Sequence, residues 1–131
     1  MAKSVTPFLM FEGKAQEALD LYMSLLPNSE IVFINRYGPE GPGPEGAIMQ
    51  GLVSLAGQQV MVSDSHVHHG FTFTPSISFW IECADEAELE KLFAELSEGG
   101  QVYMELADYG FSTRFGWVGD RFGVTWQLNL A

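Results

Sequence analysis

Apolar residues recur at helical spacing in two stretches of the chain and cluster in short, strand-length runs elsewhere. In "KAQEALDLYMSLLP", Ala18, Tyr22, Leu25 and Leu26 fall on one side of a helix with Leu19 beside them, and Pro27 cannot continue it. In "DEAELEKLFAEL", Leu89, Leu92, Phe93 and Leu96 do the same. Asp85 is placed as N-cap with Glu88 three residues later, and Glu98-Gly99-Gly100 ends the helix. Before each helix stands one strand-like run, "TPFLMF" at 6–11 and "PSISFWIECA" at 75–84. After each helix stand three more: "EIVFINRY", "AIMQGLVSLAG" and "QQVMVSD" in the first half, "QVYMELAD", "FSTRFGWVG" and "GVTWQLNL" in the second.

The two halves are therefore one pattern written twice. A shift of 70 residues sets Leu9 on Phe79, Glu12 on Glu82, Leu19 on Leu89, Tyr22 on Leu92 and Leu26 on Leu96. A shift of 66 sets the segment Gly57 to Met61 on Gly123 to Gln127. The pattern predicts one α+β domain over 1–131, made of two βαβββ modules at 5–64 and 75–131 joined by 65–74. Turns are expected at Gly57-Gln58 and at Gly119 to Gly123. The run "GPEGPGPEG", residues 38–46, holds four glycines and three prolines and is expected to be a loop, either a lid or a mobile hairpin tip.

Composition narrows the partners. Seventeen acidic residues against six basic ones give a formal charge of −11, which repels phosphate backbones and argues against nucleic acid and anionic membrane surfaces. No apolar run reaches the length of roughly 18 to 20 residues needed to span a bilayer. The single cysteine, Cys83, cannot form an internal disulfide and reads as a buried structural thiol in a reducing compartment, most simply the cytoplasm. Aromatic residues make up 13% of the chain, enough to build both a core and a ligand-stacking surface.

"FLMFEGKAQEALDLYMSLLPNSEI", "SDSHVHHGFTFTPSISFWIEC" and "FGWVGDRFGVTWQLNL" resemble the opening, middle and ending of the PhnB-like branch of the vicinal oxygen chelate superfamily, which includes glyoxalase I, extradiol dioxygenases, and bleomycin and fosfomycin resistance proteins. The resemblance covers the whole chain. It implies paired modules whose strands curl into a cup-shaped mixed sheet around a small-molecule pocket, and a homodimer. Members of this branch often bear the label 3-demethylubiquinone-9 3-methyltransferase. That activity is not expected here, because a doubly wound methyltransferase needs a Gly-rich turn after its first parallel strand.

Metal-binding members of the superfamily take His, Glu or Gln from the first and last strands of each module. Carried onto this chain, those positions hold Pro7, Met61, Ile77 and Gln127, the last through the ending that begins at Asp120. Pro and Ile offer no side-chain donor and a thioether suits a hard cation poorly, so no metal cofactor is expected. All three histidines sit in "SDSHVHHG". His66 and His69, with Asp64 nearby, either bind an ion or form a solvated rim between the modules.

The remaining pocket candidates are Gln127, Arg114, Met61, Trp80 and Trp117, beside the two histidines. Arg114 in "GFSTRFGWVG" either binds a small anion bidentately or pairs with one of the many acids, and Arg36 has similar standing. Trp126, Phe79, Phe115 and Tyr109 line the pocket or back it, which alternation alone does not decide. The function expected is metal-independent binding of a small molecule. The alternative is a metal-dependent lyase, isomerase or dioxygenase-type enzyme acting on a small polar substrate.

Overall fold

The computed structural model describes all residues, 1–131. It is α+β: β1 (Phe8–Phe11), α1 (Ala15–Leu25), β2 (Glu30–Arg36), β3 (Ile48–Leu55) and β4 (Gln58–Asp64) are followed by β5 (Phe79–Glu82), α2 (Glu86–Ser97), β6 (Gln101–Ala107), β7 (Arg114–Gly119) and β8 (Thr125–Leu130). The chain divides into two compact units, Met1–Gly70 and Phe71–Ala131. Each unit is one βαβββ module.

In both units the first strand joins the last in parallel and the other contacts are antiparallel, giving the orders β1-β4-β3-β2 and β5-β8-β7-β6. Unit 1 buries Leu19 and Tyr22 of α1 with Val53, Val60 and Val62 of the sheet. Unit 2 buries Leu89, Leu92 and Leu96 with Val118, Trp126 and Leu128. The buried helix positions are related by the 70-residue shift, and Val62 and Leu128 by the 66-residue shift. One detail departs from it. Leu9 pairs with Val62, but Phe79 pairs with Trp126 rather than with Leu128, so β5 is set two residues along β8 relative to its counterpart. An even offset leaves every side chain on its original face.

The helix starts are held differently. Asp85 caps α2, its Oδ1 accepting from Glu88 N at 2.8 Å, while the Glu88 carboxylate accepts from Ala84 N at 2.9 Å. Lys14 at the corresponding position of α1 provides no side-chain cap. Instead Asp64, 3% exposed at the end of β4, accepts from Gly13 N at 2.8 Å, Ala15 N at 3.0 Å and Ile48 N at 3.1 Å. These are amides that a helix start and a strand start would otherwise leave unpaired.

The hairpin between β3 and β4 turns one residue earlier than the sequence implies. Ala56 (φ 50°) and Gly57 (φ 94°) make the turn and Gln58 already belongs to β4. Two consecutive positive φ values match the twist of the strands they join. At the end of β7, Asp120 is 3% exposed and braces the turn, accepting from Phe122 N, Val124 N and Trp126 Nε1 at 2.9 to 3.1 Å. The glycine- and proline-rich stretch 38–46 wraps the buried ring of Tyr37, whose hydroxyl donates to Asp64 O at 2.9 Å.

Candidate functional site

Strand alternation divides each sheet into a face under the helix and a face away from it. On β8, Trp126 and Leu128 lie under α2, so Thr125, Gln127 and Asn129 point the other way. Their neighbours follow from the register. Gln127 lies between Trp80 of β5 and Trp117 of β7, and Asn129 lies between Glu82 and Phe115. Tyr103 lies tilted against Trp117 at 5.1 Å between ring centroids, reaching that face through an irregularity in β6.

Aromatic contacts close over this surface. Trp80 crosses β8 to meet Phe115 at 5.6 Å, and Phe111 and Tyr109 contact Phe115 edge-on at 5.1 and 6.1 Å. Phe115 is thereby buried, while Trp80 stays 50% exposed. Polar groups run through the aromatic set. Trp80 Nε1 donates to Glu82 Oε1 at 2.7 Å, and Asn129 Nδ2 donates to the two Glu82 oxygens at 3.2 and 3.0 Å. These donors, Trp80 foremost, hold the Glu82 carboxyl below the usual range for a carboxylate. Two buried atoms here have no hydrogen-bond partner, Trp117 Nε1 and Asn129 Oδ1. Such groups are rare in folded proteins.

The other tryptophan is core. Phe79 and Trp126 stack at 4.8 Å on the helix side, with the Trp126 indole held by Asp120. Arg114 is also on the helix side. It reaches Glu90 at 2.8 Å and Glu86 at 3.6 Å on α2, which is the acid-paired one of its two readings and sets it off the Gln127 surface. Arg36 similarly donates to Gly46 O and to Gln16 on α1.

Met61 occupies in unit 1 the position that Gln127 holds in unit 2. It lies in a cross-strand row with Phe33, Leu52 and Phe8. That row is wholly apolar.

The histidine segment does not gather a metal site. His68 Nδ1 meets Glu12 Oε1 at 2.7 Å, and His69 donates its backbone N–H to Glu12 Oε2 while its ring meets Ser65 Oγ at 2.8 Å. His66 stands edge-on to Tyr37 at 6.2 Å. Asp64, the acid considered as their fellow ligand, is buried and occupied by three backbone amides. No group of three or more His, Cys, Asp or Glu side chains is placed to hold a metal ion.

The superfamily metal positions fare no better as donors. Pro7 offers only its carbonyl, which accepts from Met61 N at 2.8 Å, and Ile77 is an exposed hydrocarbon whose carbonyl accepts from Thr125 Oγ1. The residues present do not fit such an ion. Cys83 is buried, and burial together with the charges of Glu88, Glu82 and Asp85 pushes its thiol up to about 11, which leaves it protonated and unreactive near neutrality.

Sequence reasoning singled out Trp80, Trp117 and Gln127 but passed over Glu82 and Asn129. Counting by twos from Trp80 and from Gln127 reaches both.

The family model described as 3-demethylubiquinone-9 3-methyltransferase matches residues 3–129. A solved structure described as a putative 3-demethylubiquinone-9 3-methyltransferase, PhnB protein, from Bacillus cereus is 48% identical, covering 98% of this chain and 100% of that one, with a TM-score of 0.94. Protein PA1353 from Pseudomonas aeruginosa is 30% identical over 98% of both chains, with a TM-score of 0.82. The fosfomycin resistance protein FosX from Listeria monocytogenes, 13% identical over 100% of this chain and 94% of its own, shares the fold with a TM-score of 0.59.

Proposed function

We propose, because the chain belongs to the 3-demethylubiquinone-9 3-methyltransferase family in the PhnB-like branch of the vicinal oxygen chelate superfamily, that it binds a small molecule on the Gln127 face of its second sheet. One observation carries this reading. Trp80, Gln127 and Trp117 form a mixed aromatic and polar row beside Trp117 Nε1 and Asn129 Oδ1, two buried polar atoms that lack partners. Flat rings with a few directed polar groups are what a ligand surface requires.

Binding in this reading needs no divalent ion, since Pro7, Met61 and Ile77 supply no side-chain donor suited to one. Methyl transfer is not part of it. Both sheets are mixed, each with one parallel pair, whereas a doubly wound methyltransferase holds its cofactor at the first turn of an open parallel sheet. A homodimer in the cytoplasm completes the proposal. The dimer is supported by edge strand β2, where Ile31 and Val32 are each 48% exposed, and the compartment by the single thiol. No helix is long and apolar enough to cross a membrane.

The test is a thermal-shift screen of small aromatic compounds on untagged protein, with metal content measured in parallel. Saturable stabilisation that Trp80→Ala and Gln127→Ala remove is expected. Stabilisation unaffected by both would place the ligand elsewhere, and a stoichiometric divalent ion whose removal lowers Tm sharply would overturn the metal-free reading.

A further inference from the structure

The charge of the Gln127 face is one-sided. Unit 2 has three basic residues: Lys91 in α2, Arg114 paired to α2, and Arg121 in the turn after β7. None stands on the face of β5, β7 and β8 that carries Gln127. Those same strands place an acid there, Glu82.

The Glu82 carboxylate is positioned by donors. Trp80 Nε1 and Asn129 Nδ2 aim at it, and an ionised carboxylate only accepts, so the Asn129 amide has to turn its nitrogen towards Glu82. Its oxygen is therefore left as an acceptor, and that oxygen is buried without a donor. The polar groups around Glu82 are thus acceptors, a carboxylate and an amide oxygen, with the Gln127 amide and the single unpartnered donor Trp117 Nε1 further along the face. Beside these acceptors lie the half-exposed ring of Trp80 and the exposed rings of Phe111 and Tyr109. Aromatic faces attract cations, and a carboxylate adds a charge-assisted hydrogen bond to an N–H donor. An anion would meet repulsion from Glu82 and find no basic partner.

We infer that the ligand of this face is an organic cation with a flat apolar body, its ammonium or amidinium N–H groups bound at Glu82 and its body laid against Trp80. This rests on the reading that the face binds a small molecule, and it adds the sign of the charge.

Benzamidine, benzamide and benzoate share one ring and differ in charge, so they test the sign directly on the unaltered chain. The readout is the set of indole N–H resonances in an NMR titration. Trp126, held in the core by Asp120, is the internal control for Trp80 and Trp117. Benzamidinium is expected to shift the Trp80 resonance saturably and to bind about tenfold more tightly than benzamide, with benzoate weakest. Glu82→Gln should reduce benzamidinium to the level of benzamide, and Glu95→Gln on the exposed side of α2 should leave it unaltered.

Equal binding of all three, or tightest binding of benzoate, overturns the cation assignment and leaves the binding face standing. Equal losses in Glu82→Gln and Glu95→Gln would mean attraction to the acidic chain as a whole, and also overturn it. No saturable shift from any of the three overturns the face itself. The three-ligand series needs no variant, so it decides the sign even where Glu82→Gln does not fold.

Discussion

The two units repeat one topology and diverge on the face that the helix leaves open. In unit 1 the row across the four strands is Phe33, Leu52, Met61 and Phe8; in unit 2 it is Met104, Trp117, Gln127 and Trp80. The helix-facing rows stay apolar and buried in both units, with Val60 and Val62 answered by Trp126 and Leu128. Both units thus keep an apolar face under the helix and differ in polarity on the face away from it. Only the second row carries hydrogen-bonding side chains among its rings, which is why the ligand reading belongs to unit 2.

A second difference lies in how the two helices begin, and it makes the largest prediction. Asp64→Ala strands three backbone amides, two of them buried, and should cost about 3 kcal/mol, seen as a lower urea midpoint by far-UV circular dichroism. All three tryptophans lie in unit 2, so indole fluorescence followed in the same experiment reports that unit alone. An unchanged midpoint would mean that Asp64 is not what holds the start of α1.

Exchanging the two open rows comes next. Gln127→Met should abolish saturable binding of small aromatics while shifting stability by less than about 1 kcal/mol, because a partly exposed amide gives way to a thioether of similar length. Met61→Gln should leave ligand binding untouched. Binding that survives Gln127→Met would erase the functional contrast between the rows.

The smallest effect is at the hairpin ends, where unit 1 turns on Ala56-Gly57 and unit 2 uses the braced loop around Asp120. Ala56 sits at φ 50°, a conformation that costs a residue with a Cβ, so Ala56→Gly should raise stability by about 0.5 to 1 kcal/mol. A loss of stability would show that the entropy of the added glycine outweighs the relieved strain.

Much of this arrangement is readable from the chain. The 70-residue shift matches the buried faces of both helices, and the Asp85 cap with Glu88 is visible as spacing. The pocket side of β7 was also within reach. Arg114 and Trp117 are three residues apart, an odd separation, so one strand cannot present both on the same face. Choosing which of them faces α2 requires the register, and Phe115 and Trp117 fall opposite Asn129 and Gln127, leaving Arg114 for Glu90. The role of Asp64 is not legible at all. It depends on β4 ending against residues about fifty positions earlier, a contact that no local pattern records. The two-residue offset of β5 along β8 escapes for the same reason: alternation is unchanged by an even slip.

The separate anchoring of the two helices also bears on the order in which the chain can fold as it is made. α2 carries its own cap within its first turn, so its start needs no residue from outside the segment 84–97. α1 has its amides at residues 13 and 15 but their acceptor at residue 64, so its start stays uncapped until the final residue of β4 is in place. The first module should therefore stay open until it is nearly complete and close late through a long-range contact, while the second can start locally from its helix.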